Sequence, residues 1–388
     1  MLSFRRHNSS VSFVATLVAT IVVTNVVALF NSTYADAAAY GHSRVGLELE
    51  YEAKYPSKRN EDVRNHQTLL GFARHEFGGS KIKVATWDKY SNAQGTSMAA
   101  FKDPQGRVWS VVPEKMNGEV FDGFELITPP LDSPEDTEKF GRVISEIKKS
   151  GEFRAGVSSS THFTYDVSHL VGKIEGDLQF EKRNIAEFVD VILFLESNIK
   201  SFYSLVEPAR YGHIVNKFAV PMAVNQKELL QELAAIPREQ RTFGRVRDLF
   251  KRYDKKEAAL FQGQDVHAWK YRAFNYAKLF GLGRFSGWRL PVVEARMSDL
   301  IDDSVQLEFV GRLFARAISV GAKTPTTEFR DPFPDVKSFV ADSEGHATLD
   351  AFVRAEPAGR TEGFLRKLGM AKPSVVVRCE ALFSSMEQ

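Results

Sequence analysis

Arg44-Val-Gly-Leu-Glu-Leu-Glu-Tyr-Glu52 alternates strictly, with Val45, Leu47, Leu49 and Tyr51 apolar and Gly46, Glu48, Glu50 and Glu52 between them. A period of two is that of a β-strand, so the stretch predicts a strand with one apolar face and one carboxylate face. Three stacked carboxylates repel each other unless something neutralises them, and hard oxygen ligands suit Mg²⁺ or Mn²⁺. A merely solvated row of acids is the simpler reading of the strand alone. The decision falls to the residues that can join this face.

Short strands dominate the next part of the chain. Ile82 to Trp87, Met98 to Phe101 and Val108 to Val112 read as strands, with Asp103-Pro-Gln-Gly106 a turn between the last two. Gly123-Phe-Glu-Leu-Ile-Thr-Pro-Pro130 is a further strand ended by prolines, and Ser158 to Tyr165 another. Such a run predicts an antiparallel sheet. Between them, Ser133-Pro134-Glu135-Asp136 has the form of a capping box with proline at the first helical position. Phe140, Val143, Ile144 and Ile147 then give an apolar helix face to pack on the sheet. A short helix is expected around Leu69 to Phe77 and a long one from about Gln179 to Val206. Gln226 to Ile236, Phe243 to Tyr253 and Ser304 to Val320 follow as further helices, and Leu290 to Met297 as a strand. Trp269 to Phe280 fits either helix or strand. After a proline-rich loop from Lys323 to Val336, short helical patterns lie near Ala351 and Gly363.

The whole chain bounds the function. Its 388 residues allow one large domain or two smaller ones. A formal charge of +2 and no basic stripe give no bias toward nucleic acid. The single cysteine, Cys379, excludes an intramolecular disulfide and speaks against a cysteine-based metal site. No Gly-x-Gly-x-x-Gly, P-loop, Gly-x-Ser-x-Gly or His-Glu-x-x-His is present, which removes the common nucleotide and hydrolase signatures.

Residues 1–37 read as a targeting segment: basic Arg5, Arg6 and His7, an uncharged apolar run from Val11 to Phe30, and a small-x-small Ala35-Asp36-Ala37. The run is long for a signal peptide and just long enough to span a bilayer, so an uncleaved anchor is the rival reading. Both readings keep Arg5 and Arg6 in the cytoplasm and place the rest outside, periplasmic or secreted, with the membrane engaged only through this segment.

Four later pieces can join the acidic strand. One is the strand Gly106-Arg107-Val108-Trp109-Ser110-Val111-Val112-Pro113-Glu114, and a second is Glu125 between Phe124 and Leu126. The third is His162 in Ser158-Ser-Ser-Thr-His162-Phe-Thr-Tyr-Asp166, and the fourth is Glu294 with Arg296, two apart and so on one strand face. An acid beside a guanidinium suits a nucleotide site, although a plain cross-face ion pair is the simpler reading of that piece by itself.

The order of these pieces resembles that of the amidoligase family, among the glutamine synthetase-like and glutamate–cysteine ligase-like carboxylate–amine ligases. The resemblance runs from about Arg44 to Leu313. It implies an α+β fold in which a curved antiparallel sheet carries helices on one face and holds ATP and two or three Mg²⁺ ions, or Mn²⁺, on its concave side. Residues 38–322 would form that domain, and 323–388 a C-terminal extension packed on it. Glu48, Glu50, Glu125, His162 and Glu294 match the family's metal ligands, with Glu52 extending the first pair. Arg296, Arg210 in Glu207-Pro-Ala-Arg210, and Lys270 would be catalytic. Arg107, Glu114, Tyr271 and Asn275 would contact the nucleotide.

Three positions depart from the pattern: Glu114-Lys115 for Asp-Ser, Thr164 for a second histidine, and Ala295 for an aromatic. The function implied is ATP- and Mg-dependent joining of a small-molecule or peptide carboxylate to an amine through an acyl phosphate. The rival is an exported, non-catalytic binding protein or effector that keeps the fold, since a ligase outside the cytoplasmic membrane lacks its usual ATP supply.

Overall fold

The computed structural model describes residues 44–53, 59–82, 99–116, 119–155, 159–172, 178–206, 219, 221–260, 272–283, 290–333 and 358–370. Residues 1–37, expected to be a targeting segment, Cys379 and the helical pattern expected near Ala351 lie outside them. Among the described residues no helix is long and apolar enough to cross a membrane.

The alternating stretch forms the strand β1 (Val45–Ala53). Around it an open antiparallel sheet of nine strands is built. The others are β2 (Ser80–Ile82), β3 (Ala99–Lys102), β4 (Val108–Met116), β5 (Glu119–Ile127), β6 (Phe153–Arg154), β7 (Ser160–Asp166), β8 (Phe274–Asn275) and β9 (Val292–Asp299). Their order across the sheet is β2-β3-β4-β5-β1-β7-β9-β8, with β6 paired to the end of β1. β1 is therefore central. Glu50 sits opposite Glu125 of β5, and Glu48 opposite His162 of β7. Glu294 of β9 lies opposite Thr164 on one side and Asn275 of β8 on the other. Partners opposite each other in an antiparallel pair share a face, so this register collects the polar residues of five strands on one side.

The other side is the core. Leu47, Leu49, Trp109, Phe124, Leu126, Phe163, Tyr165 and Ala295 are all buried. Three long helices pack there: α1 (Arg59–Phe77), α2 (Pro134–Ser150) and, later in the chain, Ser304–Ala322. Phe77 and Phe140 meet Trp109, and Phe314 meets both Phe163 and Tyr165. Helices α3 (Ala186–Ser197) and α4 (Ile199–Val206) pack behind Ser304–Ala322, with Phe202 against Phe314 and Phe274. Further on come α5 (Phe243–Leu260), the single turn α6 (Ala277–Phe280), α7 (Ser304–Ala322) and α8 (Ala358–Lys367). Phe364 of α8 packs on Phe194 and Phe202.

Local signals explain the ends. Ser133 caps α2 by accepting from Asp136 N at 3.1 Å, while the Asp136 carboxylate accepts from Asp132 N. Gly151 closes that helix in the left-handed conformation at φ 65°. The Asp103–Gly106 turn is closed by Gly106 N donating to Asp103 O, with Gly106 at φ +84°.

The long helix expected from Gln179 to Val206 is broken twice. Asn184 Oδ1 accepts from Ala186 N and restarts the chain as α3, and Asn198 Nδ2 donates to Phe194 O at its end. Asparagine competes with the helix for backbone partners, which stops one continuous run.

Phe314 joins the sheet core to the helical layer. Phe314→Ala should cost about 3–5 kcal/mol, the usual range for emptying a buried aromatic position. Urea unfolding of the full chain beside the wild type measures it.

Candidate functional site

The polar side of the sheet brings together residues more than two hundred positions apart in sequence. Glu48 and Glu50 come from β1, Glu125 from β5, His162 and Ser160 from β7, and Glu294 and Arg296 from β9. Two groups emerge, Glu48–His162–Glu294 and Glu50–Glu125–His162, each with ligand atoms within 4.8 Å of one another. His162 belongs to both and presents a different nitrogen to each. Its Nδ1 lies 3.3 Å from Glu48 Oε2 and 3.7 Å from Glu294 Oε1. Its Nε2 lies 2.7 Å from Ser160 Oγ and 3.8 Å from Glu50 Oε1. Ser160 in turn donates to Glu50 Oε2 at 2.5 Å. Both ring nitrogens thus have polar partners, Nδ1 among the Glu48 and Glu294 carboxylates and Nε2 at the Ser160 hydroxyl and the Glu50 carboxylate.

β9 bends to serve this site. Its register shifts between the partners of Thr161 and Phe163, so Arg296 and Met297 together oppose His162. Such a bulge re-aims a side chain locally. Arg296 is 5% exposed, pairs through Nη1 with Glu294 Oε1, and keeps a buried Nε without a hydrogen-bond partner among the described residues. Glu294 is 1% exposed.

A second cation completes the group. Lys278 Nζ, from α6, lies 3.4 Å from Glu294 Oε2 and 3.6 Å from Glu48 Oε1. Asn275 prepares its approach. Its Nδ2 donates to Glu294 Oε2 at 3.0 Å, and its Oδ1 accepts from Ala277 N at the start of α6.

Electrostatics follow from this geometry. Burial by itself raises Glu294, but Lys278 and Arg296 beside it outweigh that and hold it down at about 2. Glu48 is likewise pushed up by burial and pulled well below the carboxylate range by Lys278 and His162. Lys278 is raised in return, chiefly by Glu294. Glu196 on α3 shows the opposite case. Fully buried, it accepts from Ala223 N at 3.1 Å, and burial pushes it up to about 8 despite the nearby Arg272.

The sequence-predicted residues divide clearly. Glu48, Glu50, Glu125, His162, Glu294 and Arg296 converge. Glu52 stays on the same side but at the β6 end, 3.5 Å from Arg154 Nε. Glu114 pairs with Gly123 in the β4–β5 ladder. Arg210, Lys270 and Tyr271 lie outside the described residues.

Two residues expected to contact the nucleotide have partners within the protein. Arg107 is on the helix-covered side, where Asp103 and Asp136 take its guanidinium at 2.7 and 2.5 Å. Asn275 is at the site, with one bond from Nδ2 to Glu294 and one from the α6 backbone to Oδ1.

Ser160 and Lys278 are the residues that sequence reasoning missed. Ser160 stands two before His162 on a strand, a spacing that gives the shared face. Lys278 is the one charge in Phe274-Asn-Tyr-Ala-Lys-Leu-Phe280. Its role was hidden because that stretch reads equally as helix or strand.

Two substitutions separate the two kinds of buried acid. Glu294 contributes stability that is complete above its ordinary value of 4.5 and is lost as pH falls to about 2. Glu294→Gln should therefore show a shallower loss of stability across that acid window. Glu196 contributes stability below 4.5 that is lost as pH rises through about 8. Glu196→Gln should flatten that rising limb instead. Denaturant midpoints measured from pH 2 to 9 check both.

Searched against known proteins, the chain matches no protein-family model and no curated protein.

Proposed function

We propose that the polar face of the sheet binds a divalent metal and the phosphates of ATP, and that the protein is an ATP- and Mg-dependent carboxylate–amine ligase of glutamine synthetase-like fold. One observation carries this reading: Glu48, Glu50, Glu125, His162, Glu294 and Arg296 meet on one face in the strand positions that the motif order implies.

The donor set fits a hard divalent cation. Glu50 and Glu125 offer oxygens and His162 offers Nε2, a combination that suits Mg²⁺ and, through the imidazole, Mn²⁺. With a metal on Nε2, Glu48 Oε2, 3.3 Å from Nδ1, would accept from it and fix the ring, the usual support for a metal-bound histidine. Bound Mg²⁺ would supply charge neutralisation and orientation of the transferring phosphoryl group.

The chain's own residues would do the rest. The buried Nε–H of Arg296, which has no hydrogen-bond partner among the described residues, is a donor for a phosphoryl or carboxylate oxygen. Its pairing with Glu294 holds the guanidinium in place, so little reorganisation is needed when charge develops. Lys278 adds a second fixed positive charge at the edge of the same group. In the reaction, an oxygen of the substrate carboxylate attacks the γ-phosphorus and ADP leaves. The amine nitrogen then attacks the acyl carbon, and phosphate leaves with formation of the amide.

Thermal unfolding of the full chain with and without Mg-ATP tests the reading, beside a Glu50→Ala, Glu125→Ala variant. Near 100 times the dissociation constant, ligand adds about 2.7 kcal/mol and raises the midpoint by a few degrees. That rise is expected in the wild type and not in the variant. A rise with Mg²⁺ alone and nothing further with ATP would overturn the ligase reading in favour of a metal-dependent binding protein.

A further inference from the structure

We propose that Lys278 is the built-in counter-ion of the Glu48–Glu294 pair, standing where a second divalent cation would bridge them and confining divalent ions to Glu50, Glu125 and His162. This rests on reading the face as a metal–nucleotide site, and it goes against the two or three ions that the motif order implies.

The two carboxylates already have close partners within the protein. Glu48 presents Oε2 to His162 Nδ1 at 3.3 Å and Oε1 to Lys278 Nζ at 3.6 Å. Glu294 presents Oε1 to Arg296 Nη1, with His162 Nδ1 3.7 Å away. Its Oε2 takes Asn275 Nδ2 at 3.0 Å and Lys278 Nζ at 3.4 Å. Each oxygen of this pair therefore faces a positive or donor group of the protein.

Charge agrees with geometry. The ammonium of Lys278 and the guanidinium of Arg296 together bring the two positive charges of one divalent ion to the two carboxylates. An ion at its usual distance of ~2.1 Å from those oxygens would meet an ammonium held against the same groups. The like charges would then repel at short range.

Lys278 is placed by the fold rather than by chance. Asn275 Oδ1 accepts from Ala277 N at the start of α6, Leu290 N donates to Lys278 O at 2.9 Å, and Gly281 ends the turn in the left-handed conformation at φ 62°. Its neighbour Phe280 is buried against Phe188, Phe243 and Phe250. The backbone of the lysine is thus anchored on three sides, and its stem reaches the carboxylates from a fixed point. Glu50 differs. Its Oε2 is taken by a neutral hydroxyl, Ser160, and its Oε1 stands 3.8 Å from His162 Nε2. No described lysine or arginine is within ion-pair distance of Glu50, and the Arg296 guanidinium acts on it only from further off, so Glu50 is less closely neutralised than Glu294 and is the carboxylate open to an external cation.

The consequence for binding is specific. One half of the face would supply a metal to the phosphates, and the other half an ammonium. Charge on a bound substrate there would be met directly by Lys278 rather than by an ion.

Counting bound Mn²⁺ by the loss of its free electron paramagnetic resonance signal tests the proposal on the full chain. Lys278→Gln should bind one Mn²⁺ more than the wild type, and Lys278→Arg the same number as the wild type. Equal numbers in the wild type and Lys278→Gln would overturn it. If the wild type binds no Mn²⁺ while Lys278→Gln binds one, the counter-ion stands and the metal–nucleotide reading fails.

A second measurement avoids a variant that does not fold. In the wild type, acetylation of Lys278 by an amine-reactive ester, read by mass spectrometry, should stay low with or without saturating Mn²⁺. A several-fold rise with Mn²⁺ would show the metal displacing the lysine and overturn the proposal.

Discussion

Glu48 and Glu294 are carboxylates on strands separated only by β7, with His162 of that strand between them. Held in a site with so little exposure, two like charges would repel each other and lose their hydration. The fold answers with cations from two directions. Arg296 comes from the same strand as Glu294 through a bulge, and Lys278 comes from a single helical turn that Asn275 caps. Much of the surrounding architecture serves that one requirement: the short strand β8, the turn α6 and the register of β9 all place charge against charge.

His162 divides the face into two halves of different character. On its Nδ1 side the acids are already met by the protein's own positive groups. On its Nε2 side, Glu50 has the Ser160 hydroxyl and the imidazole as close company, and Glu125 lies within reach of the same group. A single ring thus couples an internally neutralised pair to a set of ligands suited to an external ion. The contrast with Glu196 shows why the cations matter: an equally buried carboxylate without such close ion pairing is pushed up to about 8, not down.

The other buried ion pairs serve the scaffold. Arg107 links the turn before β4 to the start of α2 through Asp103 and Asp136, and so ties the sheet edge to the helix that covers it. Arg241 pairs with Asp190 at 2.7 Å and donates to the carbonyls of Ile236, Ala234 and Thr326, tying α3 to the end of the Lys227–Ala235 helix and to the loop at Thr326. Breaking such a pair leaves a buried charge without compensation, which is why these groups hold geometry rather than offering themselves to ligands.

The sequence by itself determined the elements whose signals are local. The alternation of Val45–Glu52 made a strand, Ser133 and Pro134 started a helix, and Glu294 and Arg296 shared a face because strand residues two apart always do. The same rule would have added Ser160 to His162. Tertiary structure alone decided the rest, because it depended on register across the sheet and on partners distant in sequence. Arg107 looked like a ligand contact until Asp136, twenty-nine residues on, claimed it. Lys278 looked like an isolated charge in an apolar run until a single turn brought its ammonium to Glu48 and Glu294. Local periodicity fixes which way a side chain points, but only the packed sheet fixes which charge it meets.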